Sequence, residues 1–195
     1  GDHMAYDVLV NAGAKLTVTG QAAEKIYKSV GPDVIIDTQI SVANEGYLEW
    51  LPQETILFDQ ARLHRINKVE LGRAAQLLAV EATIFGRQAH GETVHQAALT
   101  DGWEIRQEGK LVWFDRFRFD GLMSKILHRS PLLGTARALA TLIAVSPDND
   151  ELLLRIRDFA EGAGGYIGAT QLNDGPLIVR LLDENPLQMR KNLVG

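Results

Sequence analysis

Between Tyr6 and Phe119 the sequence repeats one theme: short runs of Val, Ile, Leu, Thr and aromatic residues alternate polar with apolar positions and are broken by Gly, Asn, Asp or Pro. Strands are expected at 7–11, 15–20, 24–29, 34–42, 47–51, 54–58, 63–71, 76–85, 92–100, 104–107 and 111–119. Gly31-Pro32-Asp33, Asn44-Glu45-Gly46 and Gln107-Glu108-Gly109-Lys110 supply turns, the last as a hairpin loop between Trp103 and Trp113. So many strands without helices require either a sandwich of two sheets or a solenoid-like stack, and no fixed period selects a repeat family.

The texture changes after Pro131. Residues 137–145 read as an Ala-rich strand, and residues 146–150 carry turn and N-cap chemistry. An amphipathic helix follows, with Leu152, Leu153, Ile156, Phe159, Ala160 and Ala163 on one face and Gly164-Gly165 as its stop. Strands at 166–172 and 177–182 flank the hairpin signal Asn173-Asp174-Gly175. Asn185-Pro186 then caps a second helix that has barely turned twice at Gly195, so the end reads as a truncation. The organisation is a β-rich scaffold over 1–130 with a C-terminal α+β portion over 131–195 packed on it, as one continuous domain.

A formal charge of −5 without a dense Lys/Arg run disfavours a general nucleic-acid binder. The absence of cysteine excludes disulfides and restricts any metal site to imidazole, carboxylate, backbone or water ligands. No apolar run approaches the roughly 20 residues of a membrane span, and no signal segment opens the chain, so a cytoplasmic protein fits best. The opening Gly1-Asp2-His3-Met4 is either a tag scar or native sequence.

Carboxylates threaded through apolar strands are the candidate chemistry. Glu81, in LLAVEATIF, points into or beside the core, where a carboxylate is costly unless paired, protonated or metal-bound. Arg87 is its nearest partner in sequence, and a structural Glu–Arg pair is the plain alternative to a functional role. Asp115, in LVWFDRFRFD, shares a face with Trp113, Phe117 and Phe119. In GRQAHGE an extended backbone puts His90 and Glu92 on one face. His90 and His95 fall on opposite faces of a strand, and HGETVH lacks the spacing of a zinc protease. His64 and His128 read as surface residues. The glycines of 162–168 follow a helix, so they cap it and do not cradle a phosphate; no Walker A motif or GxSxG elbow is present.

Three strings are unusual enough to carry a likeness: GDHMAYDVLVNAGAKLTVTGQAAEKIYKS at the N-terminus, LEWLPQETILFD at 48–59 and EATIFGRQAHGE at 81–92. Together they resemble the urease accessory protein UreD family, called UreH in some bacteria, and the likeness thins after Gly121. The resemblance implies a mainly β, many-stranded β-helical or stacked-sheet scaffold with two helices in a small C-terminal α+β part, lacking some N-terminal strands here. It implies a non-enzymatic metallochaperone that binds the UreF and UreG accessory proteins and apo-urease, and helps deliver nickel to the urease active site. Any GTPase would be supplied by a partner, with no nucleotide bound by this chain. Nickel would pass transiently along an internal tunnel lined by acidic side chains, a role carried by matching position to Asp2, Glu81, Glu92 and Asp115, and further to Glu54 and Asp59. His3, beside Asp2, is the histidine candidate for a nickel ligand.

Two other functions compete. One is a β-fold hydrolase acting on a glycan with Glu81, Glu92 or Asp115 as acid and base and the tryptophans as sugar platforms. The other is a binding module in which the Trp103 and Trp113 hairpin grips a ligand.

Overall fold

The computed structural model describes residues 1–87, 91–123, 125, 133–173 and 175–194. The chain winds back and forth between two sheets. Strand β1 (His3–Val10) lies in the first sheet, and β2 (Lys15–Thr19) and β3 (Glu24–Ile26) lie in the second. β4 (Val34–Val42) returns to the first, followed by β5 (Tyr47–Leu51) and β6 (Thr55–Leu57) in the second. β7 (Arg62–Leu71), β8 (Gln76–Phe85) and β9 (Gln96–Gln107) continue the alternation. The stacked neighbours β1-β4-β7-β9 and β2-β5-β8 are all parallel, as a winding chain requires.

β10 (Lys110–Leu122) turns back antiparallel on β9, and β11 (Ala138–Val145) crosses to pair antiparallel with β8. Helix α1 (Asn149–Gly162), strands β12 (Tyr166–Gln171) and β13 (Leu177–Asp183), and helix α2 (Pro186–Val194) complete the described elements. The first sheet runs β1-β4-β7-β9-β10 and the second β12-β13-β11-β8-β5-β2, with β6 bridging β3 to β8. The fold is mainly β, a solenoid-like stack with two helices in the C-terminal part.

The missing sequence period has a geometric explanation. His3 pairs with Ile35 and Lys15 with Tyr47, offsets of 32; Val34 pairs with Leu63 and Tyr47 with Gln76, offsets of 29. Arg62 pairs with Ala98, an offset of 36, the excess falling in the link between β8 and β9. Each turn of the winding keeps its register while the corners vary in length. At one corner Gly72 is required: a Cβ there would stand 2.5 Å from Asn44 Oδ1, which accepts the Arg73 amide at 3.0 Å.

Alternation places two apolar clusters between the sheets. Val10, Ile40, Leu48, Leu77, Ile105 and Ile143 form part of one, and Ile26, Leu57, Leu63, Phe85, Leu99 and Phe119 part of the other. Burying each such side chain stabilises by about 1.5–3 kcal/mol. On the outer face of the second sheet, Leu152, Leu153 and Ile156 of α1 and Met189 and Leu193 of α2 pack over Ala138, Ala140 and Leu181. Phe159, expected on the buried face of the first helix, is 44% exposed.

Residues 96–107 form one strand, across the break expected at Asp101-Gly102-Trp103. Gly102 is needed there for close approach, since a Cβ would stand 3.0 Å from the Asp115 carbonyl and 3.3 Å from Arg116 Nε. The expected β9–β10 hairpin closes on Glu108-Gly109, both at positive φ (50° and 77°), which matches the twist of the strands it joins. The hairpin residue Asp174 and the histidines His90 and His128 lie outside the described residues.

Candidate functional site

A polar layer separates the two apolar clusters. In the first sheet, Arg65 on β7 pairs in register with Ile36 and Asp101, and Asn67 pairs with Thr38 and Trp103. Leu63, Arg65, Asn67, Val69 and Leu71 face inward together, so the strand's core-facing row is interrupted by two polar side chains. Across the interior, Glu81 and Thr83 interrupt the inward row of β8, and Thr141 and Arg180 stand beside Glu81 on β11 and β13. Asp115 on β10 pairs in register with Trp103 and forms an ion pair with Arg180. The layer thus runs from Thr38 near one edge to Asp115 and Arg180 at the other.

Arg65 is its centre. Its guanidinium donates to Glu81 Oε1 at 2.5 Å, to Thr55 Oγ1 at 2.8 Å, and to Asp101 through Nε at 3.0 Å and Nη2 at 2.6 Å. The side chains of Arg65 and Glu81 are 4% and 6% exposed, that of Asp101 15%. Burial works against the Arg65 charge, but Asp101 and Glu81, with Glu24 adding, hold the guanidinium protonated and above its usual range. Burial pushes the Glu81 carboxyl up to about 7; Arg65 opposes that rise and the Asp101 charge adds to it. One guanidinium shared between two carboxylates leaves neither fully compensated.

A cavity of about 140 Å³ adjoins this cluster. Its rim includes the exposed Tyr6, Thr19 and Gly20, and its walls include Glu24, Thr38, Trp50, Arg65, Asn67 and Glu81. Asn67 is 0% exposed, and neither amide atom has a hydrogen bond of ordinary geometry among the described residues, although the amide lies close enough to Glu81 to favour its ionised form. Trp50 Nε1 is likewise buried without a partner among the described residues. Unpaired polar atoms in such a space suit water or a polar guest.

Of the residues singled out from sequence, Glu81 and Asp115 lie in the layer. Glu81 finds Arg65, not Arg87, which pairs with Glu92 at 2.9 Å and stacks over Phe58. Glu92 and Asp59 fasten the link before β9. Glu92 accepts the Arg87 and Asp59 amides at 3.0 and 3.4 Å, and Asp59 accepts the His95 and Gln96 amides at 2.7 and 3.0 Å. The Arg87 hydrogen bond, with the two amides, holds Glu92 below the usual carboxylate range against burial. Burial raises the Asp59 pKa, but its amide donors outweigh this and the net shift is downward.

Glu54 pairs with Arg190 of α2, which also bonds Gln53 at 3.1 Å. His3 pairs with Asp37 at 3.0 Å on the exposed face of the first sheet, and Asp2 is exposed at its edge. Among the described residues no three His, Asp or Glu side chains are placed to hold a metal ion. Trp103 is 4% exposed in the core, and Trp113 packs against the same cluster, so neither offers a sugar platform. Sequence reasoning passed over Arg65, Asn67 and Asp101. The first two carried the same signal as Glu81, a polar residue in an apolar alternating row, while Asp101 was read as part of a break.

The model of the family described as UreD urease accessory protein matches residues 1–194. The chain belongs to the UreD family. It is 40% identical over 195 residues to the urease accessory protein UreD of Rhodopseudomonas palustris strain HaA2, spanning 100% of this chain and 69% of that relative. It is 41% identical over 194 residues to the UreD of Rhizobium etli, spanning 100% of this chain and 70% of the relative. To UreD 2 of Methylorubrum populi it is 44% identical over 184 residues, 93% of this chain and 62% of the relative. Within this UreD-family chain the polar layer is a part of the interior that packing alone does not explain. No helix among the described residues is long and apolar enough to cross a membrane.

Proposed function

We propose that this chain acts in urease maturation as a non-enzymatic scaffold that associates with the UreF and UreG accessory proteins and apo-urease and lets nickel pass through its interior. Membership of a urease accessory family supports the role. The observation that carries the passage reading is the polar layer itself: the buried Glu81 and the part-buried Asp101 lie between two apolar clusters, beside a cavity whose walls include amide and indole groups without a hydrogen-bond partner among the described residues. Buried charges are costly, and a scaffold needing only rigidity would do as well with apolar side chains there. Hard oxygen donors, few in number and with no histidine beside them among the described residues that line the cavity, hold a divalent ion loosely and release it, as a conduit requires.

The test is the nickel content of urease purified from cells lacking this gene, complemented with wild type or with Glu81→Gln. Wild type should restore nickel, and Glu81→Gln should restore markedly less while still co-purifying with its partners. Urease fully loaded without the gene would sink the maturation role. Full loading by Glu81→Gln would sink the passage.

A further inference from the structure

We infer that Arg65 is the gate of the polar layer, a resident cation that a divalent ion must displace from Glu81 and Asp101. The inference rests on the passage reading and concerns its control.

Arg65 spans the gap between the sheets, bonding Glu81 on β8 and Asp101 on β9 at once. A guanidinium has no lone pair to offer a metal and does not lose its proton, so while it stays the two oxygen donors are occupied and a dication meets a fixed positive charge. Once it moves, Glu81 and Asp101 face the interior without a counter-charge, with Thr55 Oγ1 released beside them and Glu24 on the cavity wall. That is a hard, oxygen-only environment suited to a partly hydrated divalent ion.

The second observation is the place available to the displaced guanidinium. Asn67 is two residues along the same inward row, fully buried, and its Oδ1 accepts no hydrogen bond among the described residues. Both residues line the 140 Å³ cavity. An unused buried acceptor next to a cavity is costly in a merely structural site, and here it offers a displaced Arg65 guanidinium an acceptor in its own row. Two packings of one side chain, one closed on the carboxylates and one turned to Asn67, form a two-state element that a cation can bias.

The test is calorimetric titration of the 195-residue chain with nickel sulfate, comparing wild type, Arg65→Gln, Arg65→Lys and the double variant Arg65→Gln/Glu81→Gln. Removing the resident charge should tighten nickel binding by about tenfold or more. The gain should vanish in the double variant, and Arg65→Lys, which keeps a charge but lacks the planar fork that bonds both carboxylates at several nitrogens, should fall between. A folded Arg65→Gln that binds nickel no tighter than wild type, or a gain that survives Glu81→Gln, overturns the gate. Should Arg65→Gln fail to fold, Arg65→Lys decides: nickel affinity equal to wild type overturns the gate, and tighter binding supports it. The titration reads metal binding by the chain alone, so its failure is distinct from that of the passage, which fails when Glu81→Gln leaves urease fully loaded in cells.

Discussion

Replacing Asp59 with alanine separates a structural carboxylate from a metal-handling one. In the structure Asp59 Oδ1 accepts two backbone amides, His95 at 2.7 Å and Gln96 at 3.0 Å, so one side chain fastens the end of the β6 segment to the start of β9. A hydrogen bond to a charged group contributes about 1.5–3 kcal/mol when well shielded. Asp59 is only half-buried, so water replaces part of each lost contact, and about 1 kcal/mol apiece, or about 2 kcal/mol in all, is the reasonable cost. For a chain of this length that is a fall in Tm of about 4–8 °C. Asp59→Asn keeps an acceptor oxygen without the charge and should lose about half as much. The sign with pH follows from the downward shift: the folded-state pKa lies below 3.8, so the contribution is present above that value and disappears as pH falls through the folded-state pKa. Thermal melts of wild type, Asp59→Ala and Asp59→Asn at pH 7, with urea titrations repeated towards pH 3, measure this. Asp59→Ala melting within about 1 °C of wild type at pH 7 would refute the fastening and leave the carboxylate free for cargo.

Three further outcomes are expected. Glu81 is raised in the folded state, from 4.5 to about 7, so the folded chain keeps a proton that the unfolded chain has lost, and this group lowers stability as pH rises through that window. Its neighbours there are Arg65, Asp101, Glu24 and Asn67, and Glu81→Gln should flatten the slope in urea titrations from pH 4.5 to 7; an unchanged slope would count against the shift. The Asp115–Arg180 pair, with side chains 26% and 38% exposed, should cost under about 1 kcal/mol when Asp115 becomes Ala, whereas Arg65→Ala, which strands two shielded carboxylates, should cost about 3–5 kcal/mol by urea denaturation. Glu54→Ala should speed hydrogen exchange across α2, which Arg190 ties to the β5–β6 link, while barely moving the global Tm.

Much of the fold was legible because one physical signal, alternation on a half-buried sheet, repeats along the chain. β4 and β5 fall where the pattern puts them, and the Glu108-Gly109 hairpin follows from residues that tolerate positive φ. Asp101-Gly102 misled for the same reason: it is good turn chemistry locally, yet the glycine is there to let β10 and Ile66 approach. At the site, Glu81 and Asp115 stood out as carboxylates in apolar rows, and their positions in the polar layer follow from that row. Their partners were not legible. Glu81 meets Arg65 because the chain crosses from one sheet to the other between β7 and β8 and lays their inward rows face to face, a pairing that no local pattern encodes. Arg87, close in sequence, pairs instead with Glu92, whose carboxylate also accepts the Arg87 amide.

The length of the windings also bears on the order in which the chain can assemble. Each parallel pairing of the first sheet closes a loop of about thirty residues before its hydrogen bonds form, so these contacts are entropically late. The β9–β10 hairpin, closed by two residues, carries no such delay, and it presents β9 as a template on which β7, then β4, then β1 can be laid. Assembly would then run against the direction of synthesis. β1, which contributes Tyr6 to the rim of the cavity, would arrive last, so the mouth of the interior space is the final part of the scaffold to take shape.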